Sequence, residues 1–311
     1  MRVKRYVFLP LLLLPGLTQA QPPVIGAGYT TPQPIDASPG QIITIFAKVP
    51  GKIQQISPVQ ANPPLPVTLG GFSVLLRQSF VDPIAVPILS VSDTQSCSSV
   101  SPEQCDTVSQ ITVQIPYELM PNIPHVSLPQ NFARLEVNYN NSTASSLFLN
   151  PIPDSIHILN SCDVAAAMSQ GDGCLPVLRH GDGSFVTADS PAHAGETVTL
   201  SLVGMGLPPS TPLLTGAAAP VSSNVLDGVL IAYDARENAS PSKLVPTSAF
   251  AENSAQLRPG SVGIYDIPVV VPALPAGVGA CSGTVRSNLT VNISRLTSFA
   301  GVGLCVATGP Q

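Results

Sequence analysis

Apolar and polar side chains alternate over short runs along this chain, and the runs end at proline and glycine. In "ASPGQIITIFAKV" a Pro-Gly turn opens a strand with Ile43, Ile45 and Ala47 on one face and Ile42, Thr44 and Phe46 on the other. In "PAHAGETVTLSLVG" Val198, Leu200 and Leu202 alternate with Thr197, Thr199 and Ser201. The later strand has a polar outer face. The earlier one is apolar on both faces, which predicts cover on both sides, the second supplied by the other half of the chain. Pro116 and Pro268, inside similar runs, fit strand ends or edges, where a missing N–H is tolerated.

These two segments are members of a repeat. Gly40 and Gly195 are 155 positions apart. "SQITVQIPYELMP" finds its counterpart in "IYDIPVVVPALPAG", with Pro116 and Pro272 separated by 156. "LEVNYNNSTASSLFL" matches "LTVNISRLTSFAGVGL", with Leu135 and Leu289 separated by 154. Three anchors in order at a nearly constant offset predict two copies of a domain of about 140–150 residues, a size suited to a β-sandwich. The expected organisation is a signal segment over 1–20, a first immunoglobulin-like sandwich over 21–157 and a second over 158–311, an all-β fold.

Composition supports strands over helices. Only 10% of residues are charged, against about 25% in an average globular protein. With 34 prolines and 24 glycines, long amphipathic helices are hard to build. The absence of tryptophan weakens an aromatic sugar-binding platform.

The first twenty residues, MRVKRYVFLPLLLLPGLTQA, place three basic side chains before an apolar stretch that closes on Ala20, the pattern of a secretory signal peptide. No later window is long and apolar enough for a transmembrane helix. Removing Arg2, Lys4 and Arg5 from thirteen basic residues leaves ten against eighteen acids, a balance of −8. That excludes a basic surface for nucleic acid. A secreted location, periplasmic or extracellular, is expected. The six cysteines fall into local pairs, and an even count in an exported chain favours disulfides. Sequential pairing, Cys97–Cys105, Cys162–Cys174 and Cys281–Cys305, is the expectation among fifteen possible arrangements.

The densest chemistry lies in "RHGDGSFVTADSPAHAGETVTL", from Arg179 to Leu200. Asp182-Gly183 is a turn signal, "SFVTA" reads as a short strand, and "SPAHAGE" as the turn into the next one. The rival readings are a nucleophilic site of Ser184, Asp182 and either His180 or His193, and a zinc or calcium site of His180, Asp182, Asp189 and His193. The first lacks a nucleophile-elbow motif, and the second lacks a His-Glu-x-x-His or EF-hand pattern. A sheet corner is expected, with no catalytic residue, metal or cofactor. Asp172 reads as another turn residue, and "GAGY" near Gly26 as a simple chain start. A binding module would instead show an exposed aromatic patch, for which Phe72, Phe80 and Tyr117 are the candidates.

A resemblance attaches to the second copy. The element His180-x-Asp182-Gly183-Ser184 is followed by Pro191-Ala192-x-x-Gly195-Glu196, then by Gly206-Leu207 and by Thr215-Gly216-x-x-x-Pro220. Pro259-Gly260, Val262-Gly263, Tyr265, Pro272 and Pro275-Ala276-Gly277 complete the series. These residues resemble the Solibacter-type uncharacterised C-terminal domain of secreted acidobacterial proteins. Ala47, Asp266 and the cysteine loops depart from its pattern. The resemblance covers most of the chain, is strongest over about 178–293, and implies paired immunoglobulin-like sandwiches akin to IPT/TIG modules. It implies no activity. The expected function is a cell-surface or extracellular interaction module with a protein or glycan ligand. The alternative is a hydrolase, or a calcium- or carbohydrate-binding module, using 180–196.

Overall fold

The computed structural model of the chain describes residues 34–49, 52, 55–79, 81–97, 105–122, 131–161, 163, 176–206, 213–220, 225–233, 249–271, 273, 289–293 and 299–307. Among them are strands and turns and no helix. The earlier half holds β1 (Ile35–Ala37), β2 (Ile42–Ala47), β3 (Val59–Gln60), β4 (Thr68–Leu69), β5 (Phe72–Gln78), β6 (Ile84–Val86), β7 (Ile88–Cys97), β8 (Cys105–Gln114), β9 (Ala133–Tyr139) and β10 (Ser142–Pro151). The later half holds β11 (His157–Ile158), β12 (Leu178–Arg179), β13 (Thr197–Val203), β14 (Val225–Tyr233), β15 (Ala249–Leu257), β16 (Tyr265–Val270), β17 (Leu289–Ile293) and β18 (Phe299–Val302). The segment 1–20, Gly26, Asp172, Cys162, Cys174 and Cys281 lie outside the described residues.

Period-two alternation decides what each strand buries. In β5, Phe72, Val74 and Leu76 point inward while Ser73, Leu75 and Arg77 are partly exposed. β5 belongs to a sheet of order β1-β10-β9-β5-β4, with β6 also on β5. Facing it is a sheet of order β2-β8-β7-β3. Ile43, Ile45 and Ala47 of β2 join Val91, Ile111 and Val113 against Phe72, Leu76, Leu135 and Val137 in one core. In the later half one sheet runs β11-β13-β16-β15-β14-β17-β18, with β12 also on β13. It encloses a second core that includes Val198, Leu200, Leu202, Val229, Ile231, Ile267 and Val269. Proline accounts for the break between the earlier sheets: Pro87, with no N–H, separates β6 on one sheet from β7 on the other.

The repeat read from the sequence recurs in the hydrogen bonding. The Gly40 N–H donates to the Ile115 carbonyl, and the Gly195 N–H donates to the Val271 carbonyl. Gln41 N–H donates to Ser38 and Glu196 N–H to His193, while Ile115 and Val271 return bonds to the carbonyls of Gln41 and Glu196. β2 pairs with β8 so that Ile42 faces Gln114, and β13 pairs with β16 so that Thr197 faces Val270, the same register 155 and 156 positions on. β1 runs parallel to β10, Ala37 facing Pro151, and Ala192 forms a parallel bridge with Val306. Gly40 and Gly195 both sit at positive φ, 74° and 82°, which is why each turn carries glycine.

The halves are joined over a continuous interface. Ile42, on the outer face of β2, is buried with Leu159, Val177, Val203 and Ile264 of the later half, so the two-sided apolar pattern of β2 has its explanation. The Ser38 hydroxyl donates to the Gly204 carbonyl at 3.1 Å, and Gln41 Nε2 to Ser155 Oγ at 3.2 Å. Each fully buried aliphatic side chain contributes roughly 1.5–3 kcal/mol relative to exposure. Separating the halves therefore costs several kcal/mol.

Candidate functional site

The segment 178–196 is the corner leading into β13. Gly183, at φ 87°, lets its N–H donate to the His180 carbonyl at 2.9 Å, and the His180 N–H donates to Ser184 at 2.8 Å. Asp182 Oδ1 accepts the Ser184 N–H at 2.9 Å and its hydroxyl at 2.6 Å, an Asx turn. "SFVTA" corrects the expectation of a strand: Phe185 makes only an isolated bridge with Arg179. A second turn follows, in which the Ser190 N–H donates to Thr187 Oγ1 at 3.1 Å, and Asp189 is exposed within it.

Glu196 ties these turns together. Its Oε2 accepts the His193 N–H at 2.9 Å, and its Oε1 lies 2.6 Å from His180 Nδ1. Gln41 does the first of these jobs in the earlier half, where its Oε1 accepts the Ser38 N–H at 2.9 Å. The bond to Glu196, helped by the Ser190 carbonyl, holds the His180 pKa above its ordinary value against the opposing effect of burial. Burial disfavours the Glu196 carboxylate, but His180 and the His193 N–H outweigh it and keep its pKa below the ordinary range.

Ser190 Oγ lies 3.3 Å from His180 Nε2, so Ser190, His180 and Glu196 fall in a line that resembles a triad. The same Nε2 lies 3.1 Å from the Ser190 carbonyl oxygen, which only accepts. Below the raised His180 pKa both ring nitrogens carry hydrogen, and the imidazolium has no lone pair with which to take a serine proton. Ser184 gives its hydroxyl to Asp182, so the proposed Ser184-histidine contact does not form. Among the described residues no three His, Cys, Asp or Glu side chains group as metal ligands, and His180, Asp182, Asp189 and His193 do not converge.

The sign of the pH dependence follows from these shifts. The stability that His180 contributes is complete below its unfolded value of 6.5 and is lost as pH rises through the raised folded value. The contribution of Glu196 is present above its unfolded value of 4.5 and is lost as pH falls through the lowered one. The pair thus stabilises most between those two values. Glu196→Gln is expected to keep the turn, as Gln41 does, to cost on the order of 1 kcal/mol near pH 6 and to flatten the alkaline decline. Urea unfolding of both proteins from pH 5 to 8.5 checks this; parallel curves would contradict it.

Several residues of the motif series serve the joint. The Tyr117 N–H donates to Thr215 Oγ1 at 3.0 Å, and the Thr215 hydroxyl donates to Glu118 Oε2 at 2.6 Å. The Gly216 N–H donates to Gln114 Oε1 at 2.7 Å, and the Gly216 carbonyl accepts the Leu65 N–H at 2.8 Å. A Cβ on Gly263 would lie 2.5 Å from the Gly40 carbonyl oxygen. The sequence offered a signal for Glu196, its place opposite Gln41 in the repeat; the role of Thr215 becomes visible only once the halves are together.

The aromatic candidates need correction. Phe72 is fully buried and Tyr117 nearly so, because both fill space between packed elements; Phe80 lies outside the described residues. Among the described residues the exposed aromatics are Phe132 and Phe148, at 74% and 55%. Phe148 is exposed because β10 alternates, with Leu147 and Leu149 turned inward. The two rings line a groove of about 400 Å³ with Pro34, Ala133, Leu149 and the amides of Asn122, Asn131 and Asn150. Asn122 and Asn131 are fixed by bonds to each other's segments, including Asn122 Oδ1 to the Asn131 N–H at 2.7 Å.

Among the described cysteines none is free. Cys97 and Cys105 are directly opposed at the tip of the β7–β8 hairpin, and Cys305 is disulfide-bonded. No helix among the described residues is long and apolar enough to cross a membrane. No family model matches the chain, and no curated protein matches it. The functional reading therefore rests on geometry.

Proposed function

We propose that this chain is an exported, non-enzymatic interaction module of two tandem immunoglobulin-like sandwiches, of the kind the Solibacter-type resemblance implies. Strand order supports the fold. β2-β8-β7 and β10-β9-β5 have the order expected of strands B-E-D and G-F-C of an immunoglobulin sandwich, and β13-β16-β15 and β18-β17-β14 repeat that order in the later half, where the β15–β14 pairing joins them into one sheet. Cleavage near Ala20 and the pairs Cys97–Cys105, Cys162–Cys174 and Cys281–Cys305 belong to the same proposal, and the Cys97/Cys105 register supports the first of them.

The groove between Phe132 and Phe148 carries the functional reading. No side chain lining it among the described residues is ionisable, which favours an uncharged group that lays an apolar face on the two rings. We assign no reaction to corner 180–196, where Asp182, His180 and Glu196 hold the turns. Wild type and the double variant Phe132→Ser, Phe148→Ser are to be compared on neutral glycan and peptide arrays. At least a tenfold loss of signal is expected in the variant. Binding that survives the double substitution, or is confined to charged ligands, would contradict the reading.

A further inference from the structure

At one end of the earlier sandwich a lysine and an aspartate are buried against each other. Lys52 Nζ contacts Asp93 Oδ1, with side-chain exposures of 7% and 0%. Phe72 and Tyr139, directly opposed on β5 and β9, place their ring centroids 5.8 and 5.9 Å from the ammonium. On the facing sheet Asp93 of β7 is paired across the ladder with Ser109 of β8. The ion pair therefore lies between the two sheets at their end, walled by the aromatic rings of the opposite sheet.

The groups around it do more than neutralise charge. The Ile56 N–H donates to Asp93 Oδ2 at 2.6 Å. The Ser109 hydroxyl lies 2.8 Å from Asp93 Oδ1 and 2.8 Å from Lys52 Nζ, touching both reactive ends. One carboxylate oxygen thus sits on a backbone donor, and the other shares a hydroxyl with the amine. That is the arrangement an acyl substitution needs: a fixed nucleophile, a donor for the developing oxyanion and a proton carrier to the leaving oxygen.

We propose that Lys52 and Asp93 condense to an intramolecular amide, a covalent cross-link between the β2–β3 connection and β7. Within the pair a proton passes from Nζ through Ser109 towards Oδ1, leaving a neutral amine beside a carboxylic acid. Nζ attacks Cγ, forming the C–N bond, while the Ile56 N–H holds the charge that collects on Oδ2. Ser109 carries a second proton from nitrogen to Oδ1, the C–Oδ1 bond breaks and water leaves. Ammonium plus carboxylate become amide plus water, so charge and atoms balance and no oxidant is consumed. Exclusion of solvent favours the exchange, because two desolvated charges disappear.

The test is the intact mass of the folded, matured protein after reduction and denaturation. The expected mass is lower by one water than the sequence requires, and trypsin is expected not to cut after Lys52, leaving its peptide joined to the one containing Asp93. Asp93→Ala and Lys52→Met are expected to restore the full mass. Asp93→Asn should close by losing ammonia and give the same product mass as wild type. Ser109→Ala should slow the appearance of the lighter species at least tenfold. Wild-type protein at full mass with cleavage after Lys52 overturns the proposal, and so does a water deficit that persists in Asp93→Ala. The wild-type peptide map decides the matter even where a variant does not fold.

Discussion

Gly204→Ala is expected to destabilise the protein by about 2–5 kcal/mol, the sum of left-handed backbone strain and overpacking against a rigid neighbour. Gly204 has φ 81°, and an added Cβ would lie 1.9 Å from the Ser155 carbonyl oxygen. That oxygen belongs to the segment that leads into β11, and the Ser155 N–H itself donates to the Gly204 carbonyl at 2.7 Å. Backbone meets backbone, so no side chain can swing aside. The same carbonyl accepts the Ser38 hydroxyl, which makes the lesion one of the joint as well as of the later half. Urea midpoints measure the loss; a change below about 1 kcal/mol would show that the joint yields at this point, against the account.

Gly40→Ala and Gly195→Ala are expected to differ, although the repeat places them at the same turn. At Gly195 nothing lies within 4 Å of an added Cβ, so only backbone strain of about 1–2 kcal/mol applies. At Gly40 the added carbon would lie 2.1 Å from Cε1 of Tyr117, a buried ring whose own N–H is held by Thr215. Displacing that ring adds about 1–3 kcal/mol and loosens the bonds of the 215–216 loop. Denaturant unfolding of the two variants side by side measures the difference. Equal losses would mean that Tyr117 does not fill the joint as described.

Much of this architecture was written locally. Alternation over Ile42–Ala47 and Thr197–Val203 gave both strands and their inward faces, because a strand's period is fixed by its own backbone. The apolar outer face of β2 forecast cover from the other half, and Ile42 packs on Val203 and Ile264. The turn at Asp182-Gly183 was legible for the same reason: its hydrogen bonds close within four residues.

What depended on distant partners was not legible. "SFVTA" has the composition of a strand, yet its neighbours offer Phe185 one bridge and no ladder. Phe72 and Tyr117 have the same character in sequence as Phe132 and Phe148, and only the packing of sheets and halves separates buried rings from exposed ones. Lys52 and Asp93, 41 positions apart, carried no motif. Glu196 organises the corner by bonding both His193 and His180, while its counterpart Gln41 holds the Ser38 N–H and also bonds Ser155 across the joint.

The two halves meet over the buried cluster around Ile42 and the bonds of Ser38, Gln41, Thr215 and Gly216. The joint is thus the part of the structure on which the rest depends. Differential scanning calorimetry of the matured chain tests it most directly. The account predicts one transition with equal calorimetric and van't Hoff enthalpies, because the buried cluster around Ile42 and the bonds of Thr215 and Gly216 couple the halves more strongly than heat separates them. Two resolved transitions, each with the enthalpy of half the chain, would contradict it.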